Sequence, residues 1–142
     1  DQHSAALKDA LPAALWPATL VPLYSSTQHG FSLTTMLTRV HRKATRKVLE
    51  EPSLLLVRDD GGAVFGVFAS VLWRRVASNF YGDERCFVFQ LQPQQRVYRA
   101  TGRNKNFLRS DERGAGLEVG SDGLLFALQL DSEFAEGRSQ IS

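Results

Sequence analysis

At 142 residues with 43% hydrophobic side chains, the chain has the size of one ordinary domain and the apolar material for a real core. Lys and Arg total 17 against 15 Asp and Glu, and a net charge of +2 is too near neutral to point to a nucleic-acid partner. No apolar run approaches the roughly 18 residues of a membrane span, and the single cysteine, Cys86, excludes an internal disulfide and suits a reducing, cytoplasmic setting.

Residues 4–11 read as a short helix capped by Ser4. Pro12, Pro17 and Pro22 then mark an irregular lead-in around Trp16. Leu20 to Tyr24 reads as an edge strand, because Pro22 lacks the N–H a central strand needs. The stretch Tyr24-Ser25-Ser26-Thr27-Gln28-His29-Gly30-Phe31-Ser32-Leu33 follows, with Gly30 placed to make a turn and Ser32 to cap a helix. Leu33, Met36, Leu37 and Val40 then repeat at i, i+3, i+4 and i+7, the apolar stripe of an amphipathic helix. Arg39, Arg42, Lys43, Arg46 and Lys47 make the continuation basic before Glu50 and Glu51 restore balance. A solvated face accounts for such a run, and docking to an acidic partner or to lipid is the functional alternative.

From Pro52 the period shortens to that of strands. Leu54 to Val57, the turn Asp59-Asp60-Gly61-Gly62 and Ala63 to Ala69 read as a hairpin buried on both faces. Gly66 within it predicts a bulge or a close approach by something large. Val71 to Phe80 leads into a loop. Cys86 to Gln92, with Phe87, Phe89 and Leu91 on one face, pairs with Arg96 to Ala100 as a second hairpin. Thr101 to Phe107 is a polar turn ended by an aromatic anchor, and Ser110 to Gly116 reads as a loop. Leu117 to Gly120 and Leu124 to Asp131 form the last pair, and Glu133 to Ser142 carries no core signal. Six or seven strands in hairpins with helices near the front describe an α+β fold, a two-sheet antiparallel β-sandwich flanked by helices.

Chemistry-bearing residues are sparse. His29 lies among Ser25, Ser26 and Ser32, but no Gly-x-Ser-x-Gly elbow is present, and a Ser26, His29, Asp131 relay requires the fold to return Asp131 to the turn. The competing role for His29 is to bond the backbone and fix the turn. His3, His29 and His41 have no ligand spacing, so no metal site follows. The glycines at 114, 116 and 120 are spaced wrongly for a dinucleotide loop. Cys86 is the one redox candidate, with Arg85 beside it to lower the thiol pKa, yet it opens an apolar strand where cysteine acts as a small hydrophobe. Arg103, Lys105, Arg109 and Arg113 lie near Phe107, but Asp111 and Glu112 interrupt any nucleic-acid patch.

Several motifs occur in a fixed order between about Pro12 and Ser139. They are Tyr24-Ser25-Ser26…His29-Gly30-Phe31-Ser32-Leu33, then Phe65-Gly66-Val67-Phe68, then Trp73, then Tyr81-Gly82…Cys86-Phe87-Val88-Phe89. Tyr98…Thr101-Gly102…Asn104…Phe107 and Leu130-Asp131…Gly137-Arg138-Ser139 complete the set. Together they resemble the TLDc family, the domain of the oxidation-resistance proteins. The chain departs from the family at Gly82-Asp83-Glu84-Arg85, where Gly-Thr-Gly-Glu is usual, and at Ala100, where an aromatic is usual.

The resemblance implies a sandwich of two antiparallel sheets flanked by helices, and protection against oxidative stress. It also implies binding to the peripheral sector of the vacuolar proton pump (V-ATPase), regulating its assembly. No agreed reaction and no cofactor come with it. The family's last strands would follow Ser142, so residues 1–142 are expected to be one domain of a longer chain, truncated at its C-terminal end. Ser26, Gly30, Ser32, Gly66, Trp73, Gly82, Thr101, Gly102, Asn104 and Asp131 are then expected as structural motif residues. Partner contacts are expected from His29 and the basic residues Arg39, Arg42, Lys43, Arg46 and Lys47. A scaffold subunit of another large assembly, or a redox or hydrolytic protein acting through Cys86 or His29, are the alternative readings.

Overall fold

Two runs of four consecutive strands, each folded back on itself, make the body of the protein. The computed structural model describes residues 21–43, 51–75, 79–99, 105–114, 116–121 and 126–139. The expected helix at 4–11, most of the proline-rich lead-in, Arg46, Lys47, Thr101, Gly102 and Asn104 lie outside the described residues. Among the described residues two helices lead: α1, a single turn at Ser26–His29, and α2 at Leu33–Lys43. The first sheet has the order β1 (Ser53–Arg58), β2 (Val64–Ala69), β3 (Phe87–Gln92) and β4 (Arg96–Arg99). The second has the order β5 (Leu108–Asp111), β6 (Gly116–Ser121), β7 (Phe126–Leu130) and β8 (Gly137–Ser139). Every pairing is antiparallel, as hairpin connections require.

The β1–β2 hairpin closes where the sequence predicts. Asp59 Oδ1 accepts the Ala63 N–H at 2.9 Å, and the Asp59 N–H donates to the Ala63 carbonyl at 3.1 Å. Alternation then sorts the side chains between two faces. Val67, Ala69 and Val88 of the first sheet join Leu108, Leu117, Val119, Leu128 and Leu130 of the second in one core, which the stripe Leu33, Met36, Leu37 and Val40 of α2 completes. The opposite face of the first sheet gathers Val64, Phe68, Phe87, Phe89 and Leu91 into a second cluster, with Phe68 stacked on Phe87 at 5.0 Å. Gly66 sits at a close approach: a Cβ there would lie 2.0 Å from the Leu55 carbonyl oxygen and 2.8 Å from the Phe89 ring.

Three expectations need correction. Residues 21–24 form no strand; with Pro22 lacking a donor, the chain instead coils into α1. Burial on both faces holds for β2 but not for β1, an edge strand whose Leu56 is 51% exposed. The loop expected from Ser110 begins inside β5, whose one large apolar residue, Leu108, gives almost no alternation to read. The tail, read as carrying no core signal, adds β8, a three-residue edge strand paired with β7 whose Gly137 and Arg138 are exposed.

Candidate functional site

The turn from Tyr24 to Leu33 is built by short-range hydrogen bonds. The Ser25 carbonyl accepts the N–H groups of Gln28 at 3.1 Å and His29 at 2.8 Å, which closes α1. His29 Nδ1 in turn accepts the Ser25 N–H at 3.0 Å. A neutral imidazole so engaged carries its proton on Nε2. The Tyr24 ring lies 5.8 Å from the His29 ring, and its hydroxyl donates to the Gly30 carbonyl. Gly30 reverses the chain at φ 85°, ψ 169°, a region open essentially to glycine alone. Ser32 Oγ then accepts the Thr35 N–H at 3.2 Å and caps α2.

The fold does return Asp131 to this neighbourhood. The Leu33 N–H donates to the Ser132 carbonyl at 2.8 Å, and the Phe134 ring stands edge-on to Tyr24 at 6.2 Å. The Asp131 carboxylate, however, is engaged within its own loop. Oδ1 accepts the N–H groups of Glu133 at 3.1 Å and Ala135 at 2.9 Å, and Oδ2 that of Glu136 at 3.1 Å. A triad histidine donates from Nδ1 to its carboxylate, whereas His29 Nδ1 is an acceptor. The geometry fixes a turn rather than a proton relay.

Cys86 is 4% exposed. Its sulfur receives the Ser70 N–H at 3.3 Å and lies 3.3 Å from Ser70 Oγ, which accepts the Asp83 N–H at 3.2 Å. Arg85 does not serve the thiol. Its guanidinium grips Asp83 through both carboxylate oxygens, the shorter contact 2.7 Å, and holds that carboxyl below its usual range. Gly82 leaves room beside this cluster, since a Cβ there would lie 3.1 Å from the Cys86 sulfur. Trp73 is buried edge-on to Tyr81, with ring centroids 6.4 Å apart. The Tyr81 hydroxyl accepts the Arg74 N–H at 2.9 Å and ties the loop to β5 through Ser110 Oγ.

The outward face of α2 carries a feature that the basic run only half signalled. His29, Thr34, Thr35, Thr38, Arg39 and Arg42 line an open cleft of about 340 Å³. Spacings of four along the helix align Thr34, Thr38 and Arg42 in one row and Thr35 with Arg39 in the next. Arg39 Nε donates to the Leu23 carbonyl at 3.1 Å, and Arg75 donates to the Thr34 carbonyl at 3.1 Å and to Thr38 Oγ1. The threonines were the missing sequence signal, for short hydroxyl side chains leave the space between the longer basic ones. No group of three or more His, Cys, Asp or Glu among the described residues is placed to hold a metal ion.

The TLDc domain model matches residues 1–142. The chain belongs to the TLDc family. TLDc proteins similar to it include the "MTOR-associated protein MEAK7" of Danio rerio, 32% identical over 92% of this chain. Human "Oxidation resistance protein 1" is 37% identical over 87% of the chain, and human "Nuclear receptor coactivator 7" is 30% identical over 98%. The chain spans 30%, 13% and 14% of these relatives' own lengths. Among the described residues, no helix of this TLDc chain is long and apolar enough to cross a membrane.

Proposed function

We propose that this TLDc chain is a non-enzymatic protein-interaction module of the cytoplasm. Its partner in this reading is the peripheral sector of the vacuolar proton pump, whose assembly it regulates, and its role lies in resistance to oxidative stress. Membership of the TLDc family carries the proposal. A relative named for oxidation resistance and another named as MTOR-associated agree with a role exerted through other proteins. The local geometry supports it as well, since His29 Nδ1, the Asp131 carboxylate and the Cys86 sulfur are each engaged by backbone N–H groups. In this reading the contacts come from His29 of α1 and Arg39 and Arg42 of α2, with Lys43, Arg46 and Lys47 of the basic run in the sequence as further candidates.

The direct test is co-elution of the purified full chain with purified peripheral sector on size exclusion, alongside reassembly of pump activity in vacuolar vesicles. Stoichiometric co-elution and a changed reassembly rate are expected. Separate elution with no effect on reassembly would remove the proton pump as the partner.

A further inference from the structure

We propose that the cleft over α2 receives the carboxylates of an acidic segment on a protein partner; this rests on the interaction-module reading and names the chemistry of its contact. Donors line the cleft, and among the described residues no Asp or Glu does. His29 lines the cleft, and with Nδ1 accepting from Ser25 its neutral ring has Nε2–H as donor. Arg39 has its Nε committed to the Leu23 carbonyl, which anchors the guanidinium while its terminal N–H groups remain to bind. A guanidinium already held in place loses less side-chain freedom when a ligand arrives. Arg42 is exposed, and among the described residues neither it nor Arg39 forms an ion pair with a carboxylate. Thr34 and Thr35 add hydroxyls, while Arg75, paired with Glu112 at 3.5 Å, is committed to the Thr34 carbonyl and Thr38 Oγ1 at the edge and adds no net charge.

The layout favours a peptide over a single phosphate. One phosphate is held by donors that converge on three oxygens. Here the donors run along the helix from Thr34 to Arg42, a span of about 12 Å. That length suits carboxylates spaced along an extended acidic segment. Phe31, two residues along the sequence from His29 and 66% exposed, is an apolar aromatic of the kind protein interfaces favour.

The test uses the full chain and four probes: a fluorescein-labelled hexaglutamate peptide, a phosphoserine peptide without other acidic residues, inorganic phosphate, and phosphatidylserine vesicles. Hexaglutamate is expected to bind with strong salt dependence. Arg42→Glu and His29→Gln should each weaken it about tenfold, whereas Arg58→Glu, a charge reversal on β1, should leave it unchanged. Unchanged far-ultraviolet dichroism and melting temperature show that each variant is folded; if His29→Gln fails this check, Arg42→Glu alone decides. No binding of hexaglutamate, binding insensitive to Arg42→Glu, or tighter Arg42-dependent binding of phosphate, phosphopeptide or vesicles would overturn the proposal. The proton-pump reading fails separately. Loss of pump co-elution with hexaglutamate binding intact removes that partner and keeps the cleft, while pump co-elution that survives Arg42→Glu removes the cleft and keeps the module.

Discussion

The Leu33 N–H donates to the carbonyl of Ser132 at 2.8 Å, joining the first residue of α2 to a turn 99 positions further along the chain. That turn is held by Asp131, whose carboxylate accepts three backbone N–H groups. Asp131→Ala should therefore destabilise the fold by about 2 kcal/mol, since three donors and the helix-start contact lose their partner together. Asp131→Asn, which keeps one acceptor oxygen, should cost about half as much. Urea denaturation of the two variants measures the difference.

Two glycines separate conformation from space. At Gly30 a Cβ meets nothing within 4 Å, so Gly30→Ala carries only backbone strain, about 1–3 kcal/mol. At Gly66 the same methyl would enter the backbone of β1, so Gly66→Ala should cost about 3 kcal/mol or more and loosen the β1–β2 pairing. Denaturant titration gives the energies, and hydrogen exchange at Leu55 and Val57 reports the pairing.

The parts of the fold legible in the sequence are those with a strong period. The stripe of α2, the β1–β2 hairpin and the Phe87, Phe89, Leu91 face stand where the pattern puts them. What escaped has no period to read. β5 buries Leu108 and Ser110, and the serine is inside because Tyr81 bonds it, a long-range fact invisible locally. β8 exists because β7 offers it an edge. For the candidate site, the basic residues were legible one by one. Their cleft was not, because it needs α1 to bring His29 against the threonines of α2.

Tyr81 should give the protein an alkaline limb. Burial pushes its hydroxyl pKa above the ordinary value of 10.0. A raised folded value means that the stability it contributes is complete below the unfolded value and is lost as pH rises through the folded one. Tyr81→Phe should cost about 1–2 kcal/mol at neutral pH, since Ser110 Oγ and the Arg74 N–H lose a partner. It should also flatten the decline in stability as pH rises above about 10 relative to the parent. Paired denaturation curves across that range check both.

Cys86 should behave as a packed thiol. With 4% exposure and its sulfur bonded to Ser70, it should resist peroxide and iodoacetamide in the native protein. Modification, followed by intact mass, should accelerate sharply only in denaturant. Rapid native oxidation with retained fold would restore the sensor reading.

Arg109 and Glu118 face each other directly across β5 and β6, with a guanidinium nitrogen 2.6 Å from Glu118 Oε1. Glu118 has no exposure, while Arg109 is 27% exposed at its side chain and spreads over the Phe80 ring at 5.2 Å. The second carboxylate oxygen and Arg109 Nε make no hydrogen bond among the described residues, so the pair is held at one point rather than as a two-pronged fork. Desolvation of the carboxylate is thus only partly offset, and removing one partner differs from removing both. Arg109→Met should leave a buried, uncompensated charge and cost about 3 kcal/mol, at the lower end for buried pairs because Arg109 is partly in water. Arg109→Met combined with Glu118→Leu should return to within about 1 kcal/mol of the parent, since a flexible and a branched apolar chain refill the same volume. A double-mutant cycle by chemical denaturation separates the outcomes: a double variant as unstable as Arg109→Met alone would mean that the pair contributes net stability instead of merely neutralising its own burial.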